Sequence, residues 1–315
     1  QRIMLKRFFK IMIFILIALQ VLVPVAADEI GVLKYKASYN GVFSLFKNLD
    51  IAEVRYSVEN LPAANSSEVI TQVRLKVSSE NFATVERLYP FRYLFKSFYQ
   101  PANSATLFFE HLKTTKKSRK QKHRIGLLEH GERKIQLFQS GRFEELITAD
   151  NLPQLSRLDF DSLVARFDLK VKEPPISKVS VMPIDRMTML ELISEQVKQQ
   201  QSQKTYLVTN AKKLFNYRVS LQKQEDYKLG DKLLSSQKVK IEAFDLEPAP
   251  EVQFAENDYD LISQAQAQPA AADNEPGYAH APVYAWFTLT EKPVALKFVN
   301  QHSVGDFIIE MLPDA

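Results

Sequence analysis

The chain has 315 residues, 45% of them hydrophobic and 11% aromatic, and it contains no cysteine. This composition indicates a globular protein and excludes a collagen-like, a wholly disordered or a disulfide-stapled chain. Its eight glycines provide neither the spacing of a nucleophile elbow nor a phosphate-binding loop followed by Lys and Ser or Thr. The sequence therefore carries no motif for serine hydrolysis or nucleotide binding.

The first 27 residues have the order of a secretory signal peptide. Basic residues precede an apolar run over residues 11–27, which ends in the small residues Val25-Ala26-Ala27. We predict that residues 1–27 are a signal peptide and that the mature protein is periplasmic, with no membrane span after cleavage. An uncleaved membrane anchor is the alternative, since the run has about the minimum length for a span.

Removal of residues 1–27 would change the charge of the protein. These residues contain no acid, and their basic residues, Arg2, Lys6, Arg7 and Lys10, account for the whole formal net charge of +4. Residues 28–315 are therefore formally neutral, which makes nucleic acid a poor partner. The absence of cysteine also excludes a lipid-anchored form.

Alternating apolar and polar residues predict strands from the start of the mature chain. The alternation is clean from Leu33 to Tyr39, and the same period of two recurs over residues 54–59 and 69–77. Short turn-rich segments separate these strands. This arrangement favours an antiparallel meander over parallel βαβ units.

An aromatic hairpin follows over residues 88–112. Its front carries a large ring at every second position, at Tyr89, Phe91, Tyr93 and Phe95. Period-two spacing places these four rings on one face of an extended strand. Turn residues over 97–104 and a second apolar run over 105–109 complete the hairpin.

A strongly basic run joins this hairpin to the next strand. Residues 113–124 contain seven Lys or Arg and no acid, and Lys116, Lys117, Arg119 and Lys120 lie at its centre. These four residues are candidates for contact with an anionic surface such as a charged lipid. The alternative is a solvated hairpin tip, because runs of like charge are usually exposed.

The second half of the chain adds one clear helix and one insertion. Asp185 is a candidate N-cap, and apolar residues from Met189 to Val197 recur at helical spacing. Strands resume over residues 205–220 and 239–243. Residues 247–282 are rich in Pro, Ala, Gln and acids without any Lys or Arg, and we interpret them as a disordered insertion. Further strands over residues 283–311 close the chain.

Little in the sequence indicates catalysis or metal binding. The five histidines form no compact ligand pattern; His111, His123 and His130 could meet across one hairpin, but exposed histidines are the better interpretation. We predict no metal and no cofactor. A pair of carboxylates for glycoside hydrolysis is defined by distance in space, so the sequence leaves that alternative open.

The surplus of aromatic residues suggests a binding face. Seven rings on predicted strands are candidates for lining a cavity that binds an apolar or amphiphilic molecule: Tyr35, Tyr39, Tyr89, Phe91, Tyr93, Phe95 and Trp286. The alternative is an ordinary β-sheet core, since aromatic residues are strand formers and fill cores.

Several short segments, in order, resemble domain-of-unknown-function family 3108. They are Tyr35-Lys36-Ala37-Ser38-Tyr39-Asn40, Leu88-Tyr89-Pro90-Phe91-Arg92-Tyr93 with Ser97 and Tyr99, the helix start from Asp185 through Met187, Thr188 and Leu190, and Trp286-Phe287-Thr288 with Pro293-Val294. The resemblance implies an exported protein of Gram-negative bacteria with an antiparallel, barrel-like fold and no established catalytic residues. The insertion at 247–282 and Arg186-Met187-Thr188 depart from the family pattern.

These observations lead to one prediction with two rivals. We expect a mainly β fold, an antiparallel incomplete or closed β-barrel with one or two packed helices, as a single domain over residues 28–315. The expected role is non-enzymatic, in the cell envelope, with lipid or another amphiphile as ligand. The rivals are a carbohydrate-active hydrolase with paired carboxylates and a scaffold that recruits envelope proteins.

Overall fold

The computed structural model describes residues 31–41, 48–62, 69–115, 121–148, 150–155, 160–244, 281–302 and 305–313. Its strands are β1 (Val32–Gly41), β2 (Leu49–Pro62), β3 (Val69–Ser78), β4 (Phe91–Gln100), β5 (Ala105–Thr115), β6 (Lys122–Glu129), β7 (Lys134–Ser140), β8 (Lys170–Val171), β9 (Ile184–Asp185), β10 (Gln203–Thr209), β11 (Leu214–Leu229), β12 (Lys232–Phe244), β13 (Val283–Thr288), β14 (Ala295–His302) and β15 (Gly305–Met311). Its helices are α1 (Ala83–Leu88), α2 (Leu152–Leu155), α3 (Phe160–Phe167) and α4 (Arg186–Lys198).

The described strands form one sheet of fifteen strands in the order β8-β7-β6-β5-β4-β3-β2-β1-β15-β14-β13-β12-β11-β10-β9. The chain starts at the centre with β1, builds a first wing to β8, and returns through a second wing from β9 to β15, which pairs with β1. Neighbours are antiparallel except for the short parallel pair β9–β10. The predicted antiparallel, mainly β fold is confirmed, in its incomplete rather than its closed form.

The sheet curls around α4. This helix contacts β4 in the first wing and β10 in the second. In a flat sheet nine strand spacings of about 4.8 Å would separate those strands, far more than the roughly 10 Å diameter of a helix. Both wings must therefore bend toward the helix. We call the face that bears α4 the inner face.

The main core lies on that inner face. Residues from both wings and from α4 pack in one cluster, including Val54, Phe95, Val239, Phe298 and Ile193, all at most 1% exposed. The predicted strand pattern is correct for Tyr35, Ala37 and Tyr39, which are buried, and for Lys34 and Lys36, which are not. It is wrong for Ser38, which is buried where the register between β1 and β2 shifts. The predicted helix from Asp185 is also confirmed.

A second core lies on the opposite, outer face of the first wing. Phe98, Phe108, Ile125 and Phe138 pack there, and they are covered by the chain after β7 with α2 and α3.

Among the described residues, no helix has the length and apolarity needed to cross a membrane.

Two expectations about the aromatic hairpin were wrong in detail. Tyr89 does not belong to the strand, because β4 begins only at Phe91. It follows helix α1, which ends at Leu88 and which the sequence pattern does not predict. The space enclosed by the sheet is also not a ring-lined hollow along its length, since α4 fills it. The predicted signal peptide, residues 247–280 of the predicted insertion, and Lys116, Lys117, Arg119 and Lys120 lie outside the described residues.

Candidate functional site

A buried polar network fixes the start of α4 against the aromatic hairpin. Asp185 caps the helix: its Oδ2 accepts from the Met187 amide at 3.0 Å, and its Oδ1 from the Thr188 amide at 3.0 Å. The same Oδ1 accepts the hydroxyl of Ser97 in β4 at 2.7 Å. The Asp185 amide in turn donates to Thr106 Oγ1 in β5 at 3.0 Å. The first turn of the helix is therefore held in a fixed position next to β4 and β5.

Beside this anchor, β4 and β5 present rings and cations on the inner face. Tyr93 lies opposite Lys113 in the strand register, and Phe95 lies opposite His111. The Lys113 ammonium is 5.4 Å from the ring centroid of Tyr93 and 5.3 Å from that of Phe95. Such positions over ring faces are favourable for a cation. His111 lies between two rings, with its centroid 4.9 Å from those of Phe95 and Phe109.

Further cations approach from α4 and β6. Arg186, the first residue of α4, places its guanidinium carbon 5.3 Å from the ring centroid of Phe215 in β11. In the register of β5 and β6, Lys122 lies opposite Lys113 and Arg124 opposite His111. Both wings thus contribute to one group of residues, which we call the mouth cluster: Tyr93, Phe95, His111, Lys113, Lys122, Arg124, Arg186 and Phe215.

The charged side chains of the mouth cluster are all cations. Burial, and then the charges of Arg124, Arg186 and Lys122, lower the pKa of Lys113 to about 8. Burial also lowers the pKa of His111 well below its usual value, and the cations Lys113, Arg186 and Arg124 add to that shift. His111 is therefore neutral at pH 7, whereas most of Lys113 remains charged. Each charged group that shifts these two pKa values is a cation.

Tyr93 adds a polar group without a partner in the described part of the chain. The residue is 2% exposed, and its hydroxyl is buried without a hydrogen bond to any described residue. Burial raises the pKa of this phenol, so the hydroxyl stays protonated at physiological pH. A buried hydroxyl without a partner costs about 1–3 kcal/mol, and native structures rarely retain one without a reason.

A second polar group lies further along α4. The half-buried carboxyl of Glu191 accepts a hydrogen bond from the Tyr56 hydroxyl. Burial raises the pKa of Glu191 to about 7, although the Tyr56 hydroxyl opposes the shift. The Tyr35 hydroxyl donates to the carbonyl of Ala295 at 3.0 Å. Burial raises the pKa values of Tyr35 and Tyr99, and the nearby charge of Glu191 raises them further.

A third group is buried on the outer face under the chain after β7. Lys96 and His123 each approach one carboxylate oxygen of Glu110 at 2.8 Å, and all three residues are at most 1% exposed. His123 Nδ1 lies 2.8 Å from the Arg142 carbonyl, so both of its nitrogens face oxygen atoms. This network is closed over by backbone and side chains, and we interpret it as structural.

The candidate ligand-binding rings do not form one site. Tyr35, Tyr39, Phe91 and Phe95 are at most 1% exposed and belong to the main core. Tyr89 is half-buried, and it lies close enough to Tyr93 to add to the rise that burial causes in the pKa of Tyr93. Only Tyr93 and Phe95 of the seven belong to the mouth cluster.

Trp286 lies apart from the other six rings. Its neighbours Ala285 and Phe287 are buried in the main core, so its side chain projects from the outer face. Its indole donates to Glu225 Oε1 at 2.5 Å, and the Lys238 ammonium is 4.9 Å from its ring centroid. A shallow groove of about 500 Å³ lies there, lined in part by Gln222, Tyr284 and Gln301.

The three histidines considered as a metal site are separated by their partners. His111 is enclosed by rings, His123 pairs with Glu110, and His130 contacts the Thr106 carbonyl at 2.7 Å. Within the ranges that the structure describes, no group of three His, Asp or Glu side chains is arranged to hold a metal ion.

Comparison with known proteins gives few matches. No family model matches the chain, and no curated protein matches it by sequence. Among solved structures, the chain is similar to a beta-barrel-like protein of domain-of-unknown-function family DUF1849 from Brucella abortus. The two share 11% identity with a TM-score of 0.48, over 90% of this chain and 95% of the other. The resemblance to family 3108 therefore remains a prediction.

Sequence reasoning missed the cations of the inner face. Lys113 belongs to the basic run over 113–124, and the interpretation of the histidines as exposed is wrong for His111, which is half-buried between rings, and for His123, which is buried against Glu110. The signal was the period of two from Phe109 through His111 to Lys113, which places both polar residues on the same face as Phe109. No local sequence pattern predicts that Arg186 and Phe215 belong to the mouth cluster, because both lie far from β4 and β5 in the sequence.

Proposed function

We propose that this protein is a non-enzymatic component of the bacterial cell envelope that binds an amphiphilic molecule at the mouth cluster. The observation that carries the proposal is the Tyr93 hydroxyl, which is buried without a described partner on a residue whose ring lies 5.4 Å from the half-buried Lys113 ammonium. The placement in the envelope is supported by the signal-like order of residues 1–27.

The position of the site follows from the packing of the inner face. Most rings of that face pack against α4 and one another in the main core, which includes Tyr93, whereas its neighbours Tyr89 and Lys113 are half-buried. We therefore place the ligand site at this end of β4 and β5. Rings there supply apolar surface, while hydroxyl and ammonium groups supply polar contacts. Ligand sites commonly combine an apolar wall with a few convergent polar groups.

A co-purification experiment tests this proposal. The full chain is produced in a Gram-negative host and purified from the periplasm without detergent, and its intact mass is measured under native conditions. We expect an adduct that disappears when the protein is denatured and that an organic extract identifies as an amphiphile.

A variant with the mouth blocked provides the control. Thr115 is half-buried and lies at the end of β5 opposite Phe91, close to Lys113, and Thr115→Trp adds bulk there. Thr84→Trp on the exposed side of α1 is the matched change at a distance. An adduct lost from the first variant and kept by the second supports the proposal. Wild-type protein that carries no adduct and also binds none of the single-chain amphiphiles added to it would contradict the proposal.

A further inference from the structure

The charge of the mouth cluster defines the chemical class of the ligand. We infer, on the basis of the proposed function, that the mouth cluster binds an anionic head group, a carboxylate or a phosphate, carried by an apolar chain. Lys113 and Arg186 would contact the anion, the Tyr93 hydroxyl would donate to it, and the rings of Tyr93, Phe95 and Phe215 would contact the chain.

The first argument is that cations from three elements lie close together. Lys113 comes from β5, Arg124 from β6 and Arg186 from α4, and each acts on the others or on His111. The nearest acids in the sequence are used elsewhere. Asp185 is occupied by the helix start and Ser97, and Glu110 projects to the outer face, where it pairs with Lys96 and His123.

The second argument concerns the position of Lys113. A lysine at a strand end can extend its ammonium into water at little cost, yet Lys113 is half-buried with its ammonium over two rings. Removing an ammonium from water beside other cations destabilises the ligand-free protein. An anion bound between Lys113 and Arg186 would offset that cost, because charge-assisted hydrogen bonds are strong in a partly dry site.

The third argument comes from the Tyr93 hydroxyl. Tyr93 lies opposite Lys113 in the strand register, and its hydroxyl has no hydrogen-bond partner among the described residues. A carboxylate or phosphate oxygen has several lone pairs and could accept from the hydroxyl, the ammonium and the guanidinium together. A neutral head group could not neutralise the cations, and a cationic one would be repelled.

Two matched fluorescent probes separate this inference from the proposed function. The probes are 11-(dansylamino)undecanoic acid and its methyl ester, which share the apolar chain but differ in head-group charge. Titration of the full chain at pH 7 should show at least about tenfold tighter binding of the acid, as expected for a charge-assisted contact. Equal affinities would overturn the anionic head group and leave the amphiphile site intact. Failure of both probes would instead count against the proposed function.

Substitutions then locate the anion. Lys113→Gln and Arg186→Gln should each weaken binding of the acid about tenfold and leave that of the ester unchanged. Lys204→Gln is the matched control, because the Lys204 ammonium also lies over a ring, 5.2 Å from the Tyr206 centroid, but on an exposed part of β10. Because Lys113→Gln removes a half-buried charge, the variant is expected to fold with unchanged or higher stability, which thermal unfolding would verify.

Competition identifies the source of the anion. Dodecyl phosphate and dodecanoate, each below its micellar concentration, should displace the acid probe, and the tighter competitor shows whether a phosphate or a carboxylate fits better. Inorganic phosphate alone should displace it weakly, since it lacks the chain. If inorganic phosphate displaced the probe as effectively as dodecyl phosphate, the ligand would not be an amphiphile. If Lys113→Gln protein bound the acid probe like wild type, the assignment of Lys113 to the anion would be wrong.

Discussion

At the scale of single residues, the Tyr93 hydroxyl lowers the stability of the fold and has a proposed role in ligand binding. This hydroxyl is buried without a described partner, so Tyr93→Phe should leave the free energy of unfolding unchanged or raise it by about 1 kcal/mol. The same change should weaken binding of the dansylated acid. Urea unfolding and probe titration measure the two effects.

The matched control for Tyr93→Phe is Tyr206→Phe. The Tyr206 hydroxyl contacts the Leu192 carbonyl and Gln196 Oε1, each at 3.1 Å, so its removal should cost about 1 kcal/mol of stability without affecting the probe. If Tyr93→Phe proved as destabilising as the control, the Tyr93 hydroxyl would have a structural partner, and its assignment to ligand binding would be wrong.

Lys113 predicts a pH dependence of ligand binding. Its pKa in the free protein is lowered to about 8, so the ammonium needed for an anion is complete below that pH and is lost as the pH rises through it. Affinity for the dansylated acid should therefore fall between about pH 7.5 and 9.5. The groups facing Lys113 are Lys122, Arg124, Arg186, His111 and Tyr93; burial keeps His111 neutral and the Tyr93 phenol protonated by lowering the pKa of the first and raising the pKa of the second. Lys113→Gln protein should show a flat profile, and a sloping one would assign the effect to another group.

Glu191 predicts a pH dependence of stability. Its pKa is raised from 4.5 to about 7, so the folded state holds the proton more tightly than the unfolded chain. The resulting stabilisation is complete below pH 4.5 and is lost as the pH rises to about 7. Relative to Glu191→Gln, wild-type protein should lose about 1–3 kcal/mol between pH 4.5 and 8, a range that allows for the partial exposure of the carboxyl.

The measurement for Glu191 is urea unfolding of both proteins across that range. The neighbouring hydroxyls of Tyr56, Tyr35 and Tyr99 stay protonated throughout, because burial raises the pKa of each. Parallel pH profiles for the wild type and Glu191→Gln would mean that the carboxyl is ionised in the folded protein at the same pH as in the unfolded chain.

At the scale of elements, Asp185 holds α4 inside the sheet. Asp185→Ala removes an N-cap, worth about 1 kcal/mol, and also leaves the buried hydroxyl of Ser97 without its 2.7 Å acceptor. We expect a total loss of about 3 kcal/mol in the free energy of unfolding. Asp161→Ala, in the first turn of α3 and exposed, should change stability by less than about 0.5 kcal/mol. Similar losses in the two variants would show that the network does not anchor the helix.

Elements with strong local patterns could be predicted from the sequence, and those set by distant contacts could not. The strands around Tyr35 and Phe95 and the helix after Asp185 follow from periodicity and capping. Helix α1 could not be predicted from the sequence, because it spans only six residues and has one buried position, Val85. So short a segment shows no amphipathic pattern. The position of α4 within the curled sheet depends on its contacts with both wings, which no local pattern contains.

Two of the motifs that resemble family 3108 meet in space. Ser97, Asp185 and Thr188, from two separate segments of the sequence, form one hydrogen-bonded network. Tyr99, from the same hairpin, is close enough to Glu191 and Asp185 for their charges to raise its pKa. These hydrogen bonds give Ser97, Asp185 and Thr188 a structural role at the start of α4.

At the scale of the whole molecule, the described chain is an open, curled sheet that encloses one helix. Because α4 packs among the rings of the inner face, we place the proposed ligand site at one end of the sheet, where the rings of β4 meet the cations of β5, β6 and α4. The wings bring these elements together, so the site depends on the fold as a unit.

A crystal structure of the full chain with 11-(dansylamino)undecanoic acid tests this account most directly. We predict that the carboxylate lies within about 3.2 Å of the Lys113 ammonium and the Tyr93 hydroxyl, with the start of the chain against the rings of Phe95 and Phe215. A probe bound instead in the groove beside Trp286, with Tyr93 and Lys113 unchanged, would contradict it.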